Sequence, residues 1–159
     1  MAHSVGTKSP LVIAHRGASY KAPENTLAAY SLAWKLNSDA IEIDIRKTKD
    51  GFLVCSHDNN LNRISSNQKS ISSMLLSELT EVDVGSWKSK EYKNERMPLL
   101  SKVLSTIPKG KKVFIEIKGA LKEIDELISI VKKSKLKIKD CHFLSYIPVS
   151  YTHLRANET

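Results

Sequence analysis

The stretch AIEIDIRKT, residues 40–48, alternates without a break, with Ile41, Ile43 and Ile45 on one side and Glu42, Asp44 and Arg46 on the other. Successive side chains of a strand point to opposite faces. The two carboxylates therefore share a face. The runs around this segment read as strands too. LVIAH (11–15) is short and continuously apolar, the pattern of a parallel strand buried on both faces. FLVCSH (52–57) follows a turn signal at KDG (49–51) and is expected to pair locally with the 40–48 segment. KVFIEIKG (112–119) and CHFLSY (141–146) complete the set. Helical patterns lie between them. ENTLAAYSLAWKLN (24–37) is capped by Asn25 or Thr26, MPLLSKVLSTI (97–107) starts beside a proline, and LKEIDELISIVKKS (121–134) is amphipathic. Residues 58–97 are polar and irregular, with one short helical pattern at 73–82. Strands alternating with helices predict an α/β fold with a parallel sheet, and 11–15, 40–46, 112–118 and 141–146 are its barrel-type strands.

The 159 residues suffice for one domain with a real core, and 41% hydrophobic with 26% charged residues is ordinary for a globular chain. No apolar run approaches the ~20 residues of a membrane helix, so stable membrane insertion is not expected. The opening MAHSVGTKSP carries no secretory pattern, and a cytoplasmic location is expected. Cys55 and Cys141 match no paired spacing and read as buried free thiols. The net charge is +8, but the excess lysines gather in KGKK (109–112) and KKSKLKIK (132–139). The second run closes a predicted helix, where cations complement the dipole. Aromatic interleaving and finger motifs are missing, so nucleic acid is not an expected partner.

Two like charges on a buried strand are costly unless a cation lies between them. Hard oxygen ligands suit one divalent cation, Mg²⁺ or Ca²⁺. The competing reading of Glu42 and Asp44 is the polar face of an edge strand. Glu116 favours the metal, because FIEIKG repeats the device one βα unit later, and Lys118 follows two residues on. Side chains near the C-terminal ends of parallel barrel strands converge on one mouth. His15 ends the first strand at that mouth. His57 ends the 52–57 strand, and the adjacent Asp58 can orient it. Imidazoles suit proton transfer at neutral pH, and the Arg16 fork suits phosphate oxygens. His3 and His153 lie in tails, and His142 reads as a packing residue. The sum is a metal-assisted site for a phosphate ester, with Arg16 and Lys118 holding the phosphate and two imidazoles managing protons.

HRG (15–17), PENT (23–26), EIDIRKTKDG (42–51), SHD (56–58) and IEIKG (115–119) occur in this order, and RMPLLSKVL (96–104) follows the same scheme. Together they resemble the glycerophosphodiester phosphodiesterase family. The resemblance implies a TIM barrel, (β/α)₈, with a small insertion at 58–97. It implies Glu42, Asp44 and Glu116 as cation ligands, His15 and His57 as general acid and base, and Arg16 and Lys118 as phosphate contacts. Glu24 and Asn25 would support the site, and Asp58 would brace His57. The implied substrate is a small glycerophosphodiester. In the implied reaction its glycerol hydroxyl attacks phosphorus and expels the alcohol, and water then opens the cyclic phosphate to sn-glycerol 3-phosphate. A barrel of this kind needs ~250 residues, so only about the first four βα units are expected here. The expected division is a tail at 1–10, a partial barrel at 11–148 and a non-native or disordered tail at 149–159, with little stability or activity in the fragment alone. A lipid phosphodiesterase of the phospholipase D toxin type and a non-catalytic remnant are the alternative readings.

Overall fold

A computed structural model describes residues 9–119 and 124–145. His3, His153 and the tail expected at 149–159 lie outside the described residues.

The strands are β1 (Ile13–Ala14), β2 (Ala40–Lys47), β3 (Leu53–Cys55), β4 (Lys112–Ile117) and β5 (Cys141–Ser145). The helices are α1 (Leu27–Lys35), α2 (Leu76–Leu79), α3 (Leu100–Ser105) and α4 (Ile124–Lys133). β1, β2, β4 and β5 are neighbours in that order and run parallel, while β3 returns antiparallel along β2. The α/β class and the local pairing of the 52–57 segment thus hold.

Period-2 alternation decides which face is covered. Ile41, Ile43 and Ile45 are fully buried, and they share one core with Tyr30 and Ala33 of α1, Leu100, Val103 and Leu104 of α3, and Leu127 and Val131 of α4. Each such isoleucine contributes about 1.5–3 kcal/mol. The opposite face carries Glu42, Asp44 and Arg46 of β2 and, in register with Glu42 and Asp44, Phe114 and Glu116 of β4. His142 stacks on Phe114 there, with ring centroids 4.6 Å apart, so it packs as expected. Cys55 and Cys141 are buried and free.

One expectation needs correction. The 11–15 run is a strand only at Ile13–Ala14, and it is not buried on both faces. Leu11, Val12 and Ile13 are 54%, 60% and 41% exposed. Among the described residues β1 pairs only with β2, and an apolar run gives no sign of which of its faces meets a partner. The 58–97 segment is irregular as expected, with α2 inside its 73–82 pattern, and Leu61, Ile64, Ile71, Met74, Leu79, Val84 and Met97 join Val54 of β3 in a second small core.

Candidate active site

β1 and β3 share one edge of β2, because β4 occupies the other from Ala40 to Ile45. β1 pairs no further than Ile41, and β3 begins at Ile45. Glu42, Ile43 and Asp44 lie in the gap. His15–Gly17 approaches from below, where the Arg16 amide donates to Glu42 Oε2 at 2.9 Å. Ser56–His57 approaches from above, where the Ser56 amide donates to the Asp44 carbonyl at 3.0 Å. One interruption in strand pairing thus gathers both histidine loops over both carboxylates.

The lower loop needs unusual backbone. Arg16 and Gly17 both have positive φ, 55° and 79°. A Cβ at Gly17 would stand 2.7 Å from the Ala29 carbonyl carbon, so only glycine lets the loop close on α1. Thr26 caps α1, its hydroxyl accepting from the Ala29 amide at 3.2 Å. Asn25 is thereby left for another task. Its Nδ2 donates to Asp44 Oδ2 at 2.9 Å, and its Oδ1 accepts from the Asp44 amide and the Tyr30 hydroxyl.

Oxygen atoms of Glu42, Asp44 and Glu116 all lie within 4.8 Å of one another. Glu42 Oε1 and Asp44 Oδ1 are buried without a hydrogen bond. Lys118 Nζ reaches Glu116 at 2.5 Å and stands 3.4 Å from Asp44 Oδ1, an ion-pair contact without hydrogen-bond alignment. Burial, reinforced by the Asp44 charge and then by Glu116, pushes the Glu42 carboxyl up to about 7, against the pull of the Arg16 amide. Burial works against the Lys118 charge, yet Glu116 and Asp44 hold its ammonium above the usual range. Three hard oxygen donors, two of them buried without a hydrogen bond, fit a divalent cation.

Arg16 lies between carboxylates, with Nη1 3.0 Å from Glu24 and Nε 3.2 Å from Asp44. The His15 ring is mostly exposed, its Nε2 3.9 Å from Glu42. His57 Nδ1 is 2.7 Å from Asp58 Oδ1. Eight of the ten residues singled out from sequence thus belong to the cluster or are linked to it directly or through one neighbour, while His57 and Asp58 pair with each other.

Two arginines escaped the sequence reading. Arg46 donates from Nε and Nη2 to the His57 carbonyl at 2.8 and 2.6 Å. Arg63 grips Glu24 with two bonds of 2.7 Å and Asp58 with one of 2.8 Å, joining the supports of Arg16 and His57. Burial raises Glu24 and Asp58, but Arg63 and Arg16 at Glu24, and His57 and Arg63 at Asp58, outweigh it and hold both below the ordinary carboxylate range. The available signal was slight: Arg63 is the only cation between Ser56 and Gln68.

Among known proteins, YhdW of Bacillus subtilis is 44% identical over 108 residues, 68% of this chain and 44% of YhdW. A glycerophosphodiester phosphodiesterase of Caldanaerobacter subterraneus is 40% identical over 114 residues, 70% of this chain and 46% of that protein. The chain spans about half the length of such relatives. Among solved structures, an Oleispira antarctica phosphodiesterase in complex with the product sn-glycerol-3-phosphate superposes with a TM-score of 0.87 at 33% identity. That match covers 93% of this chain and 62% of the other. The model of the glycerophosphoryl diester phosphodiesterase family matches residues 15–147, and the chain belongs to that family.

Proposed function

We propose that the mouth around Glu42, Asp44 and Glu116 serves a metal-dependent phosphodiesterase that hydrolyses glycerophosphodiesters to sn-glycerol 3-phosphate and an alcohol. The observation that carries this reading is the three-carboxylate cluster, with Glu42 and Asp44 buried and one oxygen of each without a hydrogen bond, bordered by His15, Arg16 and Lys118. A relative with the same fold holds sn-glycerol-3-phosphate as its product, which supports the substrate class.

Glu42, Asp44 and Glu116 would hold the cation. When bound, Mg²⁺ or Ca²⁺ neutralises charge that develops on the phosphoryl oxygens. Arg16 and Lys118 add donors for the same oxygens and fix the ester at the mouth. Asp58 holds His57 at Nδ1, so Nε2 is the nitrogen left to move a proton. His15, exposed beside Glu42, is the second proton carrier. Glu24, Asn25 and Asp58 keep Arg16, Asp44 and His57 in place. Cytoplasmic residence belongs to this proposal as well. No described helix is long and apolar enough to cross a membrane.

The test is release of sn-glycerol 3-phosphate from glycerophosphocholine by the whole protein, with Mg²⁺ or Ca²⁺ and then with a chelator. Chelator-sensitive release that His57→Ala removes is expected. Release unaffected by the chelator, or no release at all, overturns the reading.

A further inference from the structure

The opposite end of the sheet carries a feature that phosphodiester hydrolysis does not use. The loops that precede β4 and β5 enclose an open groove of about 570 Å³. It is lined by the apolar Leu104, Ile107, Pro108 and Leu136 and by Lys109, Lys111, Lys135, Lys137 and Lys139. None of these five ammonium groups makes an ion pair among the described residues. The one acid in the lining, Asp140, already pairs with Lys112 at 3.4 Å. Ile138 stands 53% exposed between Lys137 and Lys139.

We propose that this end of the fold is a docking surface for an anionic phospholipid bilayer. Three features select that partner. The groove is uncompensated positive charge, which attracts an acidic membrane surface. The run KLKIK (135–139) alternates ammonium groups with Leu136 and the exposed Ile138, so an apolar side chain can enter the headgroup layer while its neighbours meet phosphates. The lining holds no arginine and no aromatic ring, the groups that read or stack on nucleic acid. The geometry also suits a water-soluble substrate. The carboxylate mouth lies at the C-terminal ends of the strands and the lysine groove at their N-terminal ends, so a docked molecule keeps its mouth toward water.

The experiment is co-sedimentation of the chain with vesicles of phosphatidylcholine alone and of phosphatidylcholine mixed with phosphatidylglycerol, across a salt titration. Binding to the mixed vesicles at low salt, lost at high salt, with neutral vesicles left unbound, is expected. Each lysine near such a surface contributes about fivefold to partitioning, so Lys135→Gln, Lys137→Gln and Lys139→Gln together cost about a hundredfold. Ile138→Ser is expected to weaken binding several-fold and leave the salt dependence unchanged. The salt titration of the unmodified chain reads the charge contribution without any variant. Equal sedimentation with both vesicle types, no sedimentation with the anionic ones, or tighter binding to an oligonucleotide than to vesicles would overturn the proposal. So would a triple variant that binds like the parent.

Discussion

Replacing Glu42 with glutamine is expected to stabilise the metal-free chain above neutral pH while removing its response to divalent cations. A free glutamate titrates near 4.5, and Glu42 in the fold at about 7. Each tenfold change in proton affinity is worth about 1.4 kcal/mol, so the ionised carboxylate costs the fold about 3 kcal/mol relative to the unfolded chain. Solvent relaxation around the cluster trims the cost to about 1.5–3 kcal/mol. The sign follows from the raised value. Below pH 4.5 both folded and unfolded chains hold the proton and nothing is lost. Stability falls as pH rises from 4.5, and the loss is complete above about 7. The glutamine variant carries no such penalty.

Urea unfolding in chelator, followed by the fluorescence of Trp34 and Trp87, measures this directly. At about pH 4 the two proteins should unfold together. At about pH 8 the variant should be more stable by about 1.5–3 kcal/mol, a midpoint shift of roughly 1 M urea. Mg²⁺ or Ca²⁺ at a hundred times its dissociation constant should then stabilise the parent by about 2.7 kcal/mol and the variant far less. A variant less stable than the parent in chelator at about pH 8 would refute the reasoning. It would mean that the carboxylate is charged and satisfied without a metal.

Asn25→Ala strips three hydrogen bonds from Asp44 and Tyr30 and leaves buried polar atoms unpaired. A loss of about 2–4 kcal/mol is expected in denaturant unfolding. Gly17→Ala forces a Cβ into Ala29 at a positive φ and should cost about 2–4 kcal/mol, read as a fall in melting temperature. Arg63→Met releases Glu24 and Asp58 together, and kcat/KM for glycerophosphocholine should fall about 10–100-fold. Cation affinity, measured by calorimetry, should be unchanged in that variant. In the parent, cation affinity should weaken as pH drops below about 7, because Glu42 must give up its proton to bind. A pH-independent affinity would contradict that order of events.

The legible parts of the sequence were those with a period. Residues 40–47 alternate strictly, and the structure divides them by face as the alternation demands. The carboxylates and histidines were legible because each ends or rides a strand. β1 was overread, since burial depends on partners that a five-residue run does not name. Asn25 and Thr26 are adjacent, and either can cap a helix. Only the fold assigns the cap to Thr26 and leaves Asn25 to Asp44. The second core was hidden because most of its residues, such as Leu61, Ile64, Val84 and Met97, fall outside any periodic run. Arg63 meets Glu24 across 39 positions of chain, a pairing that no local spacing encodes.

β3 also fixes a length. A parallel strand would require a helical crossover of a dozen or more residues before His57 could regain the mouth. The antiparallel return does it within the turn between Lys47 and Leu53. That turn therefore acts as a ruler. Removing one residue from it would slip the ladder by a step and rotate every following side chain through half a turn. The imidazole would then face the helices, with each residue of the site still present. The turn between Lys47 and Leu53 thus has a single workable size.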